Sequence, residues 1–163
     1  SLDAHGHLSE YVRYGAKYEV YEKNYEQIKN IPNITFKIHS TLHMMNITNL
    51  PILQKHWLDK GLDCSNIELN VLTFPIEQSI AVLPKAHKTV AIKQIDKHCS
   101  FLQTVKNSSK LINQWISAKN FMLKQDDSYL LGKFFKINND KDKNRKQKFE
   151  DYLPEYNNLR NFA

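Results

Sequence analysis

Residues 34–41 read ITFKIHST, with Ile34, Phe36 and Ile38 alternating against Thr35, Lys37 and His39. Strict alternation with β-branched and aromatic residues predicts a strand that has one apolar face. Residues 66–74, NIELNVLTF, repeat the pattern: Ile67, Leu69 and Val71 share a face, and Glu68 and Asn70 take the other. Between the two runs, Asn49 precedes LPILQKHWLDK, with Leu50, Leu53 and Trp57 on one side and Gly61 after the last turn. That is the pattern of a capped amphipathic helix. A strand, a helix and a second strand joined by short links predict a parallel pair with a right-handed crossover.

The polar faces are the informative part. A parallel strand covered on both sides reads apolar on both sides. Here Thr35, Lys37, His39 and Thr41 oppose one apolar row, and Glu68 and Asn70 oppose the other. Such faces suit either the wet interior of an open barrel or the exposed side of a small α/β sheet. Two strands alone also make a poor sheet. The chain is therefore expected to be either unusually helix-rich or short of strands.

Working outward, Tyr14, Tyr18, Tyr21, Tyr25 and Ile28 recur at helical steps, and Pro32 and Asn33 end that pattern. Toward the C-terminus a helix is predicted from Pro84, with Ala91, Ile95, His98, Leu102 and Val105 inward. A further helix is predicted over about 108–125, with Leu111, Trp115, Ala118 and Met122 inward. Residues 132–148 are lysine-rich and interrupted by Asp140 and Asp142, which reads as a solvated surface segment. Short helical pieces are expected around Gln147–Tyr152 and near the end.

The formal charge of +6 permits an anionic partner, nucleic acid included, without requiring one. No run of eighteen apolar residues is present and nothing reads as a secretion signal, so a cytoplasmic protein with no membrane partner is expected. Cys64 and Cys99 read as reduced thiols, and two cysteines cannot by themselves close a zinc site or hold a four-iron cluster. No H-E-x-x-H or C-x-x-C is present, so no metal site is expected in this chain.

The first thirteen residues, SLDAHGHLSEYVR, resemble the segment after the fourth barrel strand of radical S-adenosylmethionine enzymes. There an S-L-D-G/A motif is followed by an acidic or aromatic residue and then Arg. NIPNITFKIHSTLHMMNITNLPIL resembles the fifth strand of that family, and NIELNVLTFPIEQSIAVLPKAHK resembles the sixth strand with its L-P-x-x-x-K helix start. FFKINNDKDKNRKQKFEDYLPEY resembles a C-terminal signature of the twitch group: an Asp, an Arg, a Phe and a Pro-Glu pair. Ala4 stands where Gly is commoner, and no cysteine follows residue 99, so an auxiliary cluster in the extension is not expected.

The resemblance implies an α/β fold: the C-terminal portion of a partial (β/α)6 TIM-like barrel over residues 1–83 and a helical C-terminal extension over 84–163. It implies that Ser1–Asp3 end a strand whose beginning is absent, along with the C-x-x-x-C-x-x-C loop. The implied cofactors of the full-length protein are S-adenosylmethionine and a [4Fe-4S] cluster. Its chemistry is reductive cleavage to a 5′-deoxyadenosyl radical that abstracts hydrogen from an unidentified substrate, fed by an electron donor. This chain alone is expected to be inactive. Ser1 would help hold the cofactor, Asp3 would shape the strand end, and Arg13 would pair with the methionyl carboxylate, for which its planar fork is matched. The backbone around Leu72 and Thr73 would meet the adenine, and Thr41 and Ser40 would approach the ribose or substrate. His5 and His39 are the substrate-facing candidates, with the His5–His7 and His39–His43 groups expected to meet at the barrel mouth. The alternative reading is a basic, non-enzymatic nucleic-acid-binding or interaction domain, although the helical spacing of the tyrosines favours core packing over an exposed stacking platform.

Overall fold

The computed structural model describes all of residues 1–163. Strands β1 (Ile38–Leu42) and β2 (Ile67–Val71) pair in parallel, with Ile38 opposite Ile67 and Leu42 opposite Val71. Ile38, Ser40, Leu42, Ile67 and Leu69 are buried on one face. His39 lies opposite Glu68 and Thr41 opposite Asn70 on the other, where His39 and Asn70 are exposed. The architecture is α/β with a two-stranded sheet and a large excess of helix.

Both strands are shorter than the alternation predicts. Residues 34–37 fall outside β1, and Ile34 is exposed. Their side chains alternate, but the ladder starts at Ile67, directly after a 3₁₀ turn over Cys64–Asn66, so they have no backbone to pair with. Leu72 still donates its N–H to Leu42 O at 2.8 Å, after which β1 has ended and residues 73–74 are unpaired.

Both edges of the sheet are blocked, which matters because a bare edge invites further pairing. Residues 1–3 run beside β1 in the same sense. Leu2 N–H donates to His39 O at 3.1 Å, and the Ser40 hydroxyl donates to Leu2 O at 2.6 Å. Asp3 Oδ1 then accepts the Thr41 N–H at 2.7 Å, in the place of a strand carbonyl. On the far edge, Gln114 Oε1 accepts the Leu69 N–H at 3.1 Å.

Seven helices surround this sheet. α1 (His7–Val12) and α2 (Tyr18–Ile28) precede β1, and α3 (Leu50–Asp59) makes the crossover. Tyr18 and Tyr25 are buried as their spacing predicts, but Tyr14 is exposed: Gly15, at φ 86°, turns the chain between α1 and α2 and takes Tyr14 off the stripe. α4 (Lys85–Leu102) and α5 (Ser109–Lys124) follow β2 and bury the predicted stripes, with Trp115 fully enclosed, except that Val105 lies past the end of α4 and is half-buried.

The larger correction lies at 132–148. It forms α6 (Leu131–Arg145), not a solvated segment, and Phe134, Phe135, Asn138 and Asp142 are buried along one side of it. Two polar residues on that stripe hide its amphipathic pattern. Lys146 ends the helix in the left-handed region at φ 53°, and α7 (Phe149–Tyr152) and two 3₁₀ turns complete the chain. One core of 35 buried residues runs from Leu2 to Leu159, so segments 1–83 and 84–163 share an interior. No helix is long and apolar enough to cross a membrane.

Candidate functional site

A cavity of about 340 Å³ opens at the carboxyl ends of β1 and β2. Asp3, Arg13, Thr41, His43 and Leu72 line it from the strand side, and Asn138, Lys141 and Arg145 line it from α6. The last three are spaced by three and four residues, which puts them on one helical stripe.

Arg13 follows the last turn of α1 and is held from two sides. Its Nε and Nη2 grip Asp3 Oδ2 at 2.8 and 2.7 Å, and Nη2 also donates to Ser1 Oγ at 2.6 Å. Asp3 is itself buried, and its other oxygen is committed to Thr41 N–H. The loop after β1 is pinned by Asn46, fully buried, whose amide donates to Asp3 O at 2.7 Å and Thr41 O at 2.8 Å. Asn46 Oδ1 accepts the His43 N–H at 2.8 Å. Burial, reinforced by Arg13 and Lys141 and opposed by Asp3, pushes the His43 imidazole down to about 4. It is therefore neutral near pH 7, with Nδ1 accepting the Met45 N–H at 3.3 Å.

α6 is fixed against α1 by a buried polar network. The Tyr11 hydroxyl donates to Asp142 Oδ1 at 2.8 Å and accepts from Asn138 Nδ2 at 2.6 Å. Asp142 Oδ2 accepts the Phe149 N–H at 2.8 Å. Burial, with Asp142 adding to it, raises the Tyr11 phenol well above its ordinary value. Arg145 donates to Tyr11 O at 3.3 Å and lies over the Tyr14 ring, 4.9 Å from its centroid. On the far side of the extension, the Thr48 hydroxyl donates to Glu155 at 3.0 Å. Asp142, Arg145, Phe149 and Glu155 of the quoted C-terminal stretch thus dock the extension beside the strand ends.

Asp3, Arg13, Thr41 and Leu72 come together in this cavity, with Ser1 behind Arg13. The Ser1 hydroxyl donates to His39 O at 3.1 Å, so it positions Arg13 and does not face the hollow. Thr73 is exposed beyond the strand end, and Ser40 is buried on the apolar face. The histidines do not meet. His39 stands on the open polar face, with Nδ1 3.1 Å from Glu68 Oε2, while Lys110 pairs with the other oxygen of Glu68. His5 donates its backbone N–H to Asn49 Oδ1 at 2.6 Å, and its ring packs 4.7 Å from His56 and 5.0 Å from Tyr18. Gly6, at φ 61°, then turns the chain into α1, leaving His7 exposed and His5 on the α3 side.

Cys64 and Cys99 are free, and burial raises both thiols. No three or more His, Cys, Asp and Glu side chains gather as a metal site. Tyr18 and Tyr25 are enclosed and offer no stacking platform. Asn46, Lys141 and Arg145 were not legible as site residues: Asn46 sits in an apolar loop, and the cations sit in a run that reads as solvated. The three-four spacing of Asn138, Lys141 and Arg145 puts them on one face of α6, but the many other polar residues of this run keep that spacing from marking them out.

Comparison of the chain with protein-family models, with curated proteins and with solved structures found no match.

Proposed function

We propose that the strand-end cavity is the cofactor end of a radical S-adenosylmethionine enzyme of the twitch group. The chain is then the C-terminal portion of a partial (β/α)6 barrel with its extension. The observation that supports this best is the Ser1–Asp3–Arg13 constellation. An S-L-D motif and a downstream Arg, ten residues apart, close onto each other at the carboxyl ends of parallel strands, where ligands gather in such folds.

The residues fit S-adenosylmethionine. Arg13 spends Nε and Nη2 on Asp3 and Ser1, which leaves Nη1 for a carboxylate at the cavity wall. Thr41 supplies a hydroxyl beside it, and the chain at Leu72 supplies an edge for an adenine. Asp3 and Ser1 orient the guanidinium before any ligand arrives, and Asn46 fixes the loop that carries Thr41 and His43. This chain carries two cysteines, Cys64 and Cys99, fewer than a four-iron cluster takes, so the cluster's ligands would come from outside it. S-adenosylmethionine with its cluster supplies hydrogen-abstraction chemistry when bound. The polar row of His39, Glu68, Thr41 and Asn70 would face the barrel interior, toward a substrate of unidentified structure.

The test uses the product of the full reading frame. Reconstituted anaerobically with iron and sulfide and reduced with dithionite, it is expected to release 5′-deoxyadenosine from S-adenosylmethionine. Arg13→Gln should raise KM for the cofactor at least tenfold. Failure to take up a cluster, or an unchanged KM in that variant, overturns the reading.

A further inference from the structure

The α6 side of the cavity is not accounted for by the residues that resemble the family's strand-end motifs. Its stripe delivers two cations, Lys141 and Arg145, into a hollow that already holds Arg13. The carboxylates beside them are engaged elsewhere. Asp142 spends both oxygens on the Tyr11 hydroxyl and the Phe149 N–H. Asp3 spends both on Arg13 and the Thr41 N–H. Glu77, which feels Lys141 through space, is paired with Lys133 at 3.3 Å. Arg145 meets only a carbonyl and an aromatic face from this chain, which fix its direction without neutralising it. Converging cations without partners in a concave site are poorly compensated until an anion joins them.

We propose that Lys141 and Arg145 form a second oxyanion subsite in this cavity, which takes a phosphate or carboxylate group of the substrate. Calling that group the substrate's rests on the cofactor reading above. The binding of an oxyanion rests on the cavity alone. A planar guanidinium beside an ammonium suits either anion: Arg145 offers a fork, and Lys141 a mobile point charge. Because both sit on α6, the extension would be a direct contributor to ligand choice. The docking network of Tyr11, Asn138 and Asp142 would then hold these two side chains in register with Arg13.

The experiment titrates this chain with inorganic phosphate, and separately with acetate at matched ionic strength, following ¹H–¹⁵N shifts. Phosphate or acetate is expected to shift the amides of 138–145 and the Arg145 side chain. The anion with the lower Kd identifies the group. Lys141→Gln should weaken that binding at least fivefold, and Lys141→Gln with Arg145→Gln at least tenfold. Lys136→Gln, which removes an equal charge from the exposed side of α6, should change it less than twofold. Lys141 makes no contact that holds the fold, so its single variant keeps the test valid if Arg145→Gln loosens α6. Equal weakening by Lys136→Gln and Lys141→Gln, or shifts confined to exposed lysines, overturns the subsite. Loss of 5′-deoxyadenosine release with the phosphate or acetate site intact would sink the cofactor reading alone.

Discussion

The groove beside α3 and α4 has a volume of about 670 Å³, twice the roughly 340 Å³ of the strand-end cavity. His5, His56 and His98 line the groove and His43 the cavity, but the polar groups of the two are in different states. In the groove, His98 Nε2 lies 2.7 Å from Gln54 Oε1, which also accepts from Trp115 Nε1 at 2.8 Å. His56 Nε2 lies 2.7 Å from Glu22, which Lys60 also approaches at 3.4 Å. The charged groups named here are answered by a neighbour, although Gln54 Nε2 is buried without a partner, and the rest of the lining includes the exposed Ile52 and the half-buried Phe101. At the strand ends the carboxylates are spent on fixing the backbone and Arg13, and the cations are left over. Volume alone therefore does not separate packing from a site. Convergent charge without a partner does.

The hardest way to break this contrast is to remove what both regions share. Trp115→Ala opens a void under β2 and strips Gln54 of a donor, so a loss of about 3–5 kcal/mol in urea unfolding is expected. A loss under about 1 kcal/mol would mean that the groove and sheet do not rest on a common core. Asp142→Ala acts on the strand-end region alone. It leaves the Tyr11 hydroxyl proton and the Phe149 N–H without an acceptor, with an expected cost of about 2–4 kcal/mol. Hydrogen exchange should show α6 opening while α4 and α5 stay protected.

The pH dependence sharpens the comparison further. Burial holds His98, like His43, down to about 4 against an ordinary 6.5. Between those limits the unfolded chain binds protons that the folded chain does not. Stability is then fully present above about pH 6.5 and falls as pH drops toward 4, by on the order of 1 kcal/mol per pH unit for each histidine. Thermal melts of His43→Gln and His98→Gln should each lose part of that slope; an unchanged slope in either would show that its imidazole is solvated. The smallest effect belongs to the groove rim. Glu22→Gln breaks partly exposed pairs with His56 and Lys60, and a change within about 1 kcal/mol is expected.

Much of the scaffold was readable in the chain. The crossover α3, the stripes of α4 and α5 and the parallel sense of the strands follow from period and link length, which are local properties. The strand limits were not readable, because residues 34–37 keep the pattern of a strand but lack a partner. The site was half readable. Ser1, Asp3, Arg13, Thr41 and Leu72 carry short motifs near the strand ends, whereas Lys141 and Arg145 are indistinguishable from neighbouring surface lysines until α6 is docked.

By itself the sequence determined the helix faces, the apolar and polar rows of the two strands and an excess of positive charge, since each depends on residues a few positions apart. Tertiary structure alone decided which cations stay unpaired and which carboxylates are used up. Those outcomes depend on bringing residues 3, 13, 41 and 138–145 to one place, and no local pattern encodes a contact across more than a hundred residues.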